Sequence, residues 1–307
     1  MFLHKSFSSV EKNDKKDLAS GILISRNTKK HFLMLYSAYV GDDFRSDLGY
    51  YRRYGMYKFE PNYRFRIYPK NPRIQEIELS HYAAWVFRPN LDNNYEGNIH
   101  YSSVQVRYLN TSRIRLMRRQ TKTYLYNSFD PTRSDGGIPF PNNQFYDYVD
   151  YSFLYRSSTR NIISTDTEIS YGSFFNGDKF SISSEFSYRT QPIFNTSIRF
   201  SFDSIKLPDP YVSKDILLIS PKFELTFSKK TFWTTYIQYS SQLDDLGINS
   251  RFQWRLAPLS DLYLVYNDNY YTSNSIIPRL RSINLKFTYW INTVSYTHLT
   301  LPTKVRV

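Results

Sequence analysis

Apolar and polar side chains trade places residue by residue along most of this chain. Residues 179–189 show it most cleanly. Phe180, Ile182, Phe186 and Tyr188 fall on one side of a pleated strand, and Lys179, Ser181, Ser183, Glu185, Ser187 and Arg189 on the other. Strand side chains alternate with period two, so one side suits an apolar medium and the other suits water. At 57–67, Tyr57, Phe59, Tyr63, Phe65 and Ile67 likewise oppose Lys58, Glu60, Asn62, Arg64 and Arg66. Pro61 interrupts that apolar side, which predicts a bulge or an edge. The pattern recurs at 194–202 and 285–291 and is weakest over 98–126.

Fifteen strands are predicted, at 18–26, 31–40, 54–68, 73–87, 98–109, 113–126, 148–157, 161–175, 179–189, 194–206, 215–227, 231–241, 248–256, 261–270 and 281–291. Tight connections fall at 27–30, 69–72, 110–112, 158–160, 190–193, 228–230 and 257–260. Longer ones lie between them, at 41–53, 88–97, 127–147, 207–214, 242–247 and 271–280; only 176–178 is short where a long loop is due. Two-sided strands of about ten residues, joined by short and long connections in turn, are the signature of a bacterial outer-membrane barrel. The expected fold class is all-β, an antiparallel transmembrane β-barrel with about 15–16 strands present. A soluble sheet with one buried face has the same period, but its strands average about five to six residues.

Composition sharpens this. Aromatics make up 18% of the chain, with 29 Tyr and 23 Phe, residues that fit both strands and a membrane interface. Mean hydropathy is −0.53, and no apolar run approaches the ~20 residues of a membrane helix, which excludes a helical membrane protein. Trp85, Trp233, Trp254 and Trp290 sit near predicted strand ends, where interface aromatics belong, although Trp290 is on the nominally polar side. There is no cysteine, so disulfides, thiolate metal sites and Cys nucleophiles are excluded.

The net charge is +13, and the basic residues are spread among strands instead of gathered in a tail, which argues against nucleic acid. Arg64, Arg66, Arg107, Arg113, Arg115, Arg119, Lys122 and Arg199 are expected mostly to face the lumen. Such a lining favours anionic solutes or holds an acidic plug. Pairing with inward acids such as Glu60, Glu76 and Glu185 is the plainer alternative.

Catalytic chemistry finds little material. His81 falls on the apolar side with Leu79, Ala83 and Trp85, as a base at the lipid interface or a residue near the headgroups. Its neighbour Ser80 faces the opposite way. No nucleophile elbow, zinc spacing or phosphate-cradling glycine loop is found. Residues 92–97, DNNYEG, alternate oxygen ligands like a calcium loop, but the twelfth position is Ser103 where a Glu is needed. Asp42, Asp43, Asp244 and Asp245 read as solvated loop charge, with cation or lipopolysaccharide contact as the alternative. No catalytic, cofactor or metal site is expected, and the chain is not expected to be an enzyme.

Two phrases resemble a known family. GDDFRSDLGYYRRYGM at 41–56 carries Gly41, Phe44, Gly49, Tyr50, Arg52, Arg53 and Gly55 in the spacing of one family phrase. NSRFQWRLAPLSDLYLVYNDNY at 249–270 carries Trp254, Arg255, Pro258, Ser260, Leu262, Tyr263, Leu264, Val265 and Tyr266 in that of another, with the Arg after the Trp instead of before it. LKFTYWI at 285–291 follows. Over about 19–292 the chain thus resembles the barrel portion of a bacterial family of unknown function. In that family a family-9-like carbohydrate-binding module precedes a large outer-membrane barrel. The resemblance implies a non-enzymatic barrel in the outer membrane of a Gram-negative bacterium. It would anchor or serve a periplasmic carbohydrate-binding module in glycan handling or uptake. The implied partners are outer-membrane lipid and lipopolysaccharide, the barrel-assembly machinery, and glycans bound through a module this chain does not contain. A pore for anionic solutes is the second expectation, and a barrel enzyme the third.

The expected organisation is a stub of an upstream strand and outer loop at 1–17, the barrel at 18–293 and a non-native tail at 294–307. That tail, VSYTHLTLPTKVRV, breaks the alternation and resembles the sequencing-adaptor read-through found in metagenomic reading frames. No secretory signal opens the chain. The last strand leaves a long outer loop and ends inside, whereas the first runs into a tight turn and so began outside. Barrels of this kind usually have an even strand count with both ends inside. The chain is therefore expected to be a fragment with at least one strand upstream, and 1–6 its stub. The upstream DNA is predicted to continue the reading frame and the alternation; a stop codon and signal sequence just before Met1 would contradict this.

Overall fold

The computed structural model describes residues 2–7, 16–44, 53–89, 95–273 and 275–291. Among them every regular element is a strand, and sixteen strands form one antiparallel sheet in chain order. It begins with β1 (Phe2–Phe7), β2 (Lys16–Asn27), β3 (His31–Val40), β4 (Met56–Ile67) and β5 (Ile74–Phe87). The middle comprises β6 (Gly97–Tyr108), β7 (Arg113–Leu125), β8 (Gln144–Arg156), β9 (Ile163–Phe174) and β10 (Gly177–Thr190). Then follow β11 (Phe194–Lys206), β12 (Lys214–Ser228), β13 (Thr231–Ser240), β14 (Asp245–Ala257), β15 (Ser260–Tyr271) and β16 (Ile277–Thr288). Among the described residues β1 pairs only with β2 and β16 only with β15, so the sheet is not closed on itself. The all-β antiparallel expectation holds, and an open meander is compatible with a segment of a barrel wall.

The expected stub forms β1, in register with β2 from Phe2↔Gly21 to Phe7↔Lys16. Residues 8–15 of the expected outer loop and the 294–307 tail lie outside the described residues. The anomalous short connection is a two-residue turn, Phe175 and Asn176, with Phe175 at a φ of 54°. Three strands start three or more residues earlier than predicted because residues read as loop continue the ladder. Gln144 pairs with Leu125, Asp245 with Ser240, and Ile277 with Tyr271.

Pro61 makes neither a bulge nor an edge. It pairs with Leu35 on one side, while the ladder to β5 skips Glu60 and Pro61 and resumes in the same register. Pro221 does the same between β12 and β13. A proline lacks one donor, and here the sheet loses two rungs on one side and keeps its phase.

The two faces differ in exposure in the reverse of the usual sense. On β8 the rings of Tyr151, Phe153 and Tyr155 are 60%, 40% and 37% exposed, whereas Asp150, Ser152 and Leu154 are at 8%, 6% and 5%. Side chains converge on the concave side of a curved sheet and splay on the convex side. The mostly polar face is therefore taken as the inner one.

The long β7–β8 connection, 126–143, folds onto that inner face. Phe140, fully buried, packs against Tyr211 at 4.5 Å, Phe175 at 5.1 Å and Tyr146 at 5.5 Å between ring centroids. Phe129 and Phe140 form a backbone bridge that closes the loop. Asp130 shapes its tip: Oδ1 accepts from the Thr132 amide at 2.8 Å and hydroxyl at 2.7 Å, and Oδ2 from the Ser134 amide at 3.0 Å. Burial alone would raise this carboxyl, but these hydrogen bonds outweigh it and hold the pKa below the ordinary aspartate value. Phe140→Ala is expected to weaken docking of 126–143 by about 3 kcal/mol. Amide exchange should accelerate across that loop and remain slow in β7 and β8.

Candidate functional site

Register brings the inner-face charges into rows that sequence spacing alone does not reveal. Glu76, Arg107, Arg113, Arg156, Asp166 and Glu185 are opposite one another in turn across β5 to β10, and Arg199 follows on β11. Three ion pairs lie along this row: Arg107–Glu76 at 3.0 Å, Arg156–Asp166, and Arg199–Glu185 at 2.7 Å. Arg113 stands between two arginines and has no ion pair among the described residues. On the next row Arg115 reaches Glu168 only at 3.9 Å. The Nε atoms of Arg113, Arg115 and Arg156 are buried without hydrogen-bond partners. Arg107, Arg113, Arg115 and Arg156 thus form a patch whose positive charge exceeds that of its neighbouring acids. A hollow of about 480 Å³ adjoins it, lined also by Arg64, Arg66 and Glu78.

The other basic residues singled out in the sequence are placed as follows. Arg66 bonds Glu78 at 3.1 Å. Arg64 lies over the Phe32 ring at 5.0 Å, and Arg119 holds Asp150 through two bonds of 2.6 and 3.0 Å. Lys122 is a correction. It has the parity of Ile114 and Leu116, not of Arg113 and Arg115, and so lies on the outer face, with its ammonium 5.1 Å from the Phe145 ring centroid. Arg156 was missed; its acid partner Asp166 comes from the neighbouring strand.

The outer face is apolar across much of the sheet. Leu79, Val104, Leu116, Phe153, Ile169 and Ile182 are opposite one another in turn on β5 to β10, and Phe202 and Leu217 continue the row. Trp85 lies near the long-loop end of β5, Trp233 and Trp254 near the tight turns bounding β13 and β14, and Trp290 just after β16. The Trp233 indole donates to Ser250 Oγ at 2.8 Å.

Polar residues interrupt this face on β5 to β7. His81 Nδ1 is 2.9 Å from Ser102 Oγ, directly opposite on β6, and the His81 and His100 rings are 5.7 Å apart. Sequence reasoning separated His81 from its neighbour Ser80 and missed this cross-strand pair. A base and a hydroxyl are in reach, but no carboxylate bonds either imidazole among the described residues. Backbone amides within the strands are largely spent in the ladder, so they offer little as oxyanion donors. Of the DNNYEG candidate, residues 92–94 lie outside the described residues, and Glu96 is engaged by Arg53 and Arg88. No metal-holding cluster of acids and histidines occurs among the described residues.

The phrase at 249–270 is the β14–β15 hairpin. Leu259 takes a φ of 60° in its turn, and buried Ser260 accepts a 2.9 Å bond from the Trp290 amide, tying the segment after β16 to β15. In the phrase at 41–56, Gly55 has a φ of 65° and a Cβ there would collide with the Asp42 carboxylate. No protein-family model and no curated protein matches the chain. The resemblance stated above therefore rests on these phrases alone.

Asp150→Ala would leave the half-buried Arg119 guanidinium without its two-bond partner. The expected cost is about 1–3 kcal/mol of unfolding free energy. The Arg119→Ala, Asp150→Ala double variant should recover part of it in denaturant titration.

Proposed function

We propose that this chain is a wall segment of a bacterial outer-membrane β-barrel, with its ring-bearing face against lipid and its charged face lining the interior, and that it is not an enzyme. The observation that carries this is the exposure pattern: Tyr151, Phe153 and Tyr155 lie bare while Asp150 and Ser152 beside them are sheltered. In water a bare apolar face of this extent is unfavourable. In a bilayer it is the favourable arrangement, because the ladder satisfies the backbone and hydrocarbon covers the rings. The resemblance of the two phrases supports a role beside a periplasmic carbohydrate-binding module, in glycan handling or uptake. The arginine patch around Arg113 favours a second reading, passage or capture of anionic solutes. Single-channel conductance of the whole protein separates them: a plugged barrel carries no current, and an anion pore conducts with anion preference.

Expressed in a Gram-negative host, the protein is expected in the outer-membrane fraction, resistant to alkaline extraction, and to migrate differently before and after boiling. Phe153→Arg, on the proposed lipid face, should destabilise the inserted form by about 2–4 kcal/mol. Ser152→Arg, on the inner face, should be tolerated much better. A water-soluble, monomeric product would refute the membrane assignment.

A further inference from the structure

The outer face of β5 to β7 carries a polar notch between two apolar zones. Toward the tight turns lie Leu79, Val104 and Leu116. Toward the long loops, ring contacts of 5.0 to 6.1 Å link Tyr57, Phe87, Tyr95, Phe145 and Tyr124. His81, His100, Ser102, Arg118 and Gln120 sit between. Ser102 is opposite both His81 and Arg118, and His100 is opposite Gln120. The Arg118 guanidinium donates to Gln120 Oε1 at 3.1 Å and has no acid partner among the described residues. This notch explains why the two-sided pattern is weakest over 98–126.

Beside the notch a hollow of about 730 Å³ runs between His31 and Tyr151, with Leu79, Val104 and Leu116 among its mostly apolar lining. On the membrane assignment above, on which this inference rests, Arg118 would lie at lipid depth. A lone cation there is costly, and such residues pair with an anion or reach for the headgroups. An apolar trough beside a guanidinium, two imidazoles and a hydroxyl has the chemistry of an acyl chain capped by a phosphate. The hollow lies on the tight-turn side of the notch, so a chain seated in it is capped from the long-loop side, the outer side of such a barrel, where the phosphate-bearing lipid is a glycolipid. We propose that this notch binds lipopolysaccharide, with a lipid phosphate on Arg118 and the His81–Ser102 pair, and an acyl chain in the hollow.

The test uses the protein purified from outer membranes in mild detergent, with the boiling-dependent shift in migration as the check of folding. Purified lipopolysaccharide and phosphatidylglycerol compete for it, and retained lipid is counted by native mass spectrometry. Lipopolysaccharide is expected to be retained, dephosphorylated lipopolysaccharide to be lost, and Arg118→Gln to weaken retention about tenfold. Arg118→Lys should keep part of it, and the inner-face control Arg113→Gln all of it. Equal retention by folded Arg118→Gln overturns the site. Preference for phosphatidylglycerol overturns the choice of lipid. Self-association through the notch without bound lipid overturns it in favour of a second copy. Failure to reach the membrane at all instead refutes the membrane assignment beneath it.

Discussion

Everything in this structure depends on a sheet whose backbone is satisfied by its neighbours while one of its faces has none of the described residues packed over it. Each inner strand donates and accepts along both edges, from β2 through β15. What remains unsettled by the ladder is only what covers the side chains. The described residues provide no second layer, and the cover they do provide lies on the mostly polar face. The β7–β8 loop is spent on the inner face, where Phe140 closes over Phe175 and Tyr146. Phe153, Phe186 and Leu285 on the outer face stay bare. On the membrane assignment proposed above, hydrocarbon would cover them.

The strands were largely legible because the period-two signal is local. Residues 31–40 and 194–206 form strands with those bounds. The short turn at Asn176 is real, and so is the alternation of tight and longer connections around it. What sequence could not show is where a ladder outlasts its pattern. At Gln144 and Asp245 the strands run on because the opposite strand offers partners, and no local preference signals that. Pro61 and Pro221 were equally opaque: each costs rungs on one side, and neighbouring strands hold the phase.

The candidate sites divide along the same line. Which face a residue takes follows from parity, so Arg107, Arg113 and Arg115 could be grouped in advance, and Lys122 was misplaced only where parity was not followed. Which residues meet depends on register between strands, which the chain does not carry locally. His81 and Ser102 are 21 positions apart, and Arg119 and Asp150 are 31 apart. Arg118 was not singled out in the sequence, and its setting between His81, Ser102 and Gln120 came only with the fold.

Inner charge and outer ring are thus one arrangement seen from two sides, and β8 holds both in successive residues. A nitroxide placed in turn at positions 149 to 156, with the protein in lipid vesicles, reads it directly through collisions with oxygen, which partitions into hydrocarbon, and with a water-soluble nickel complex. Oxygen collisions are expected to peak at 151, 153 and 155, and the ratio of nickel to oxygen collisions to be higher at the sheltered positions 150, 152 and 154. Uniform accessibility to both reagents, or low accessibility at every position, would contradict a sheet that divides lipid from water.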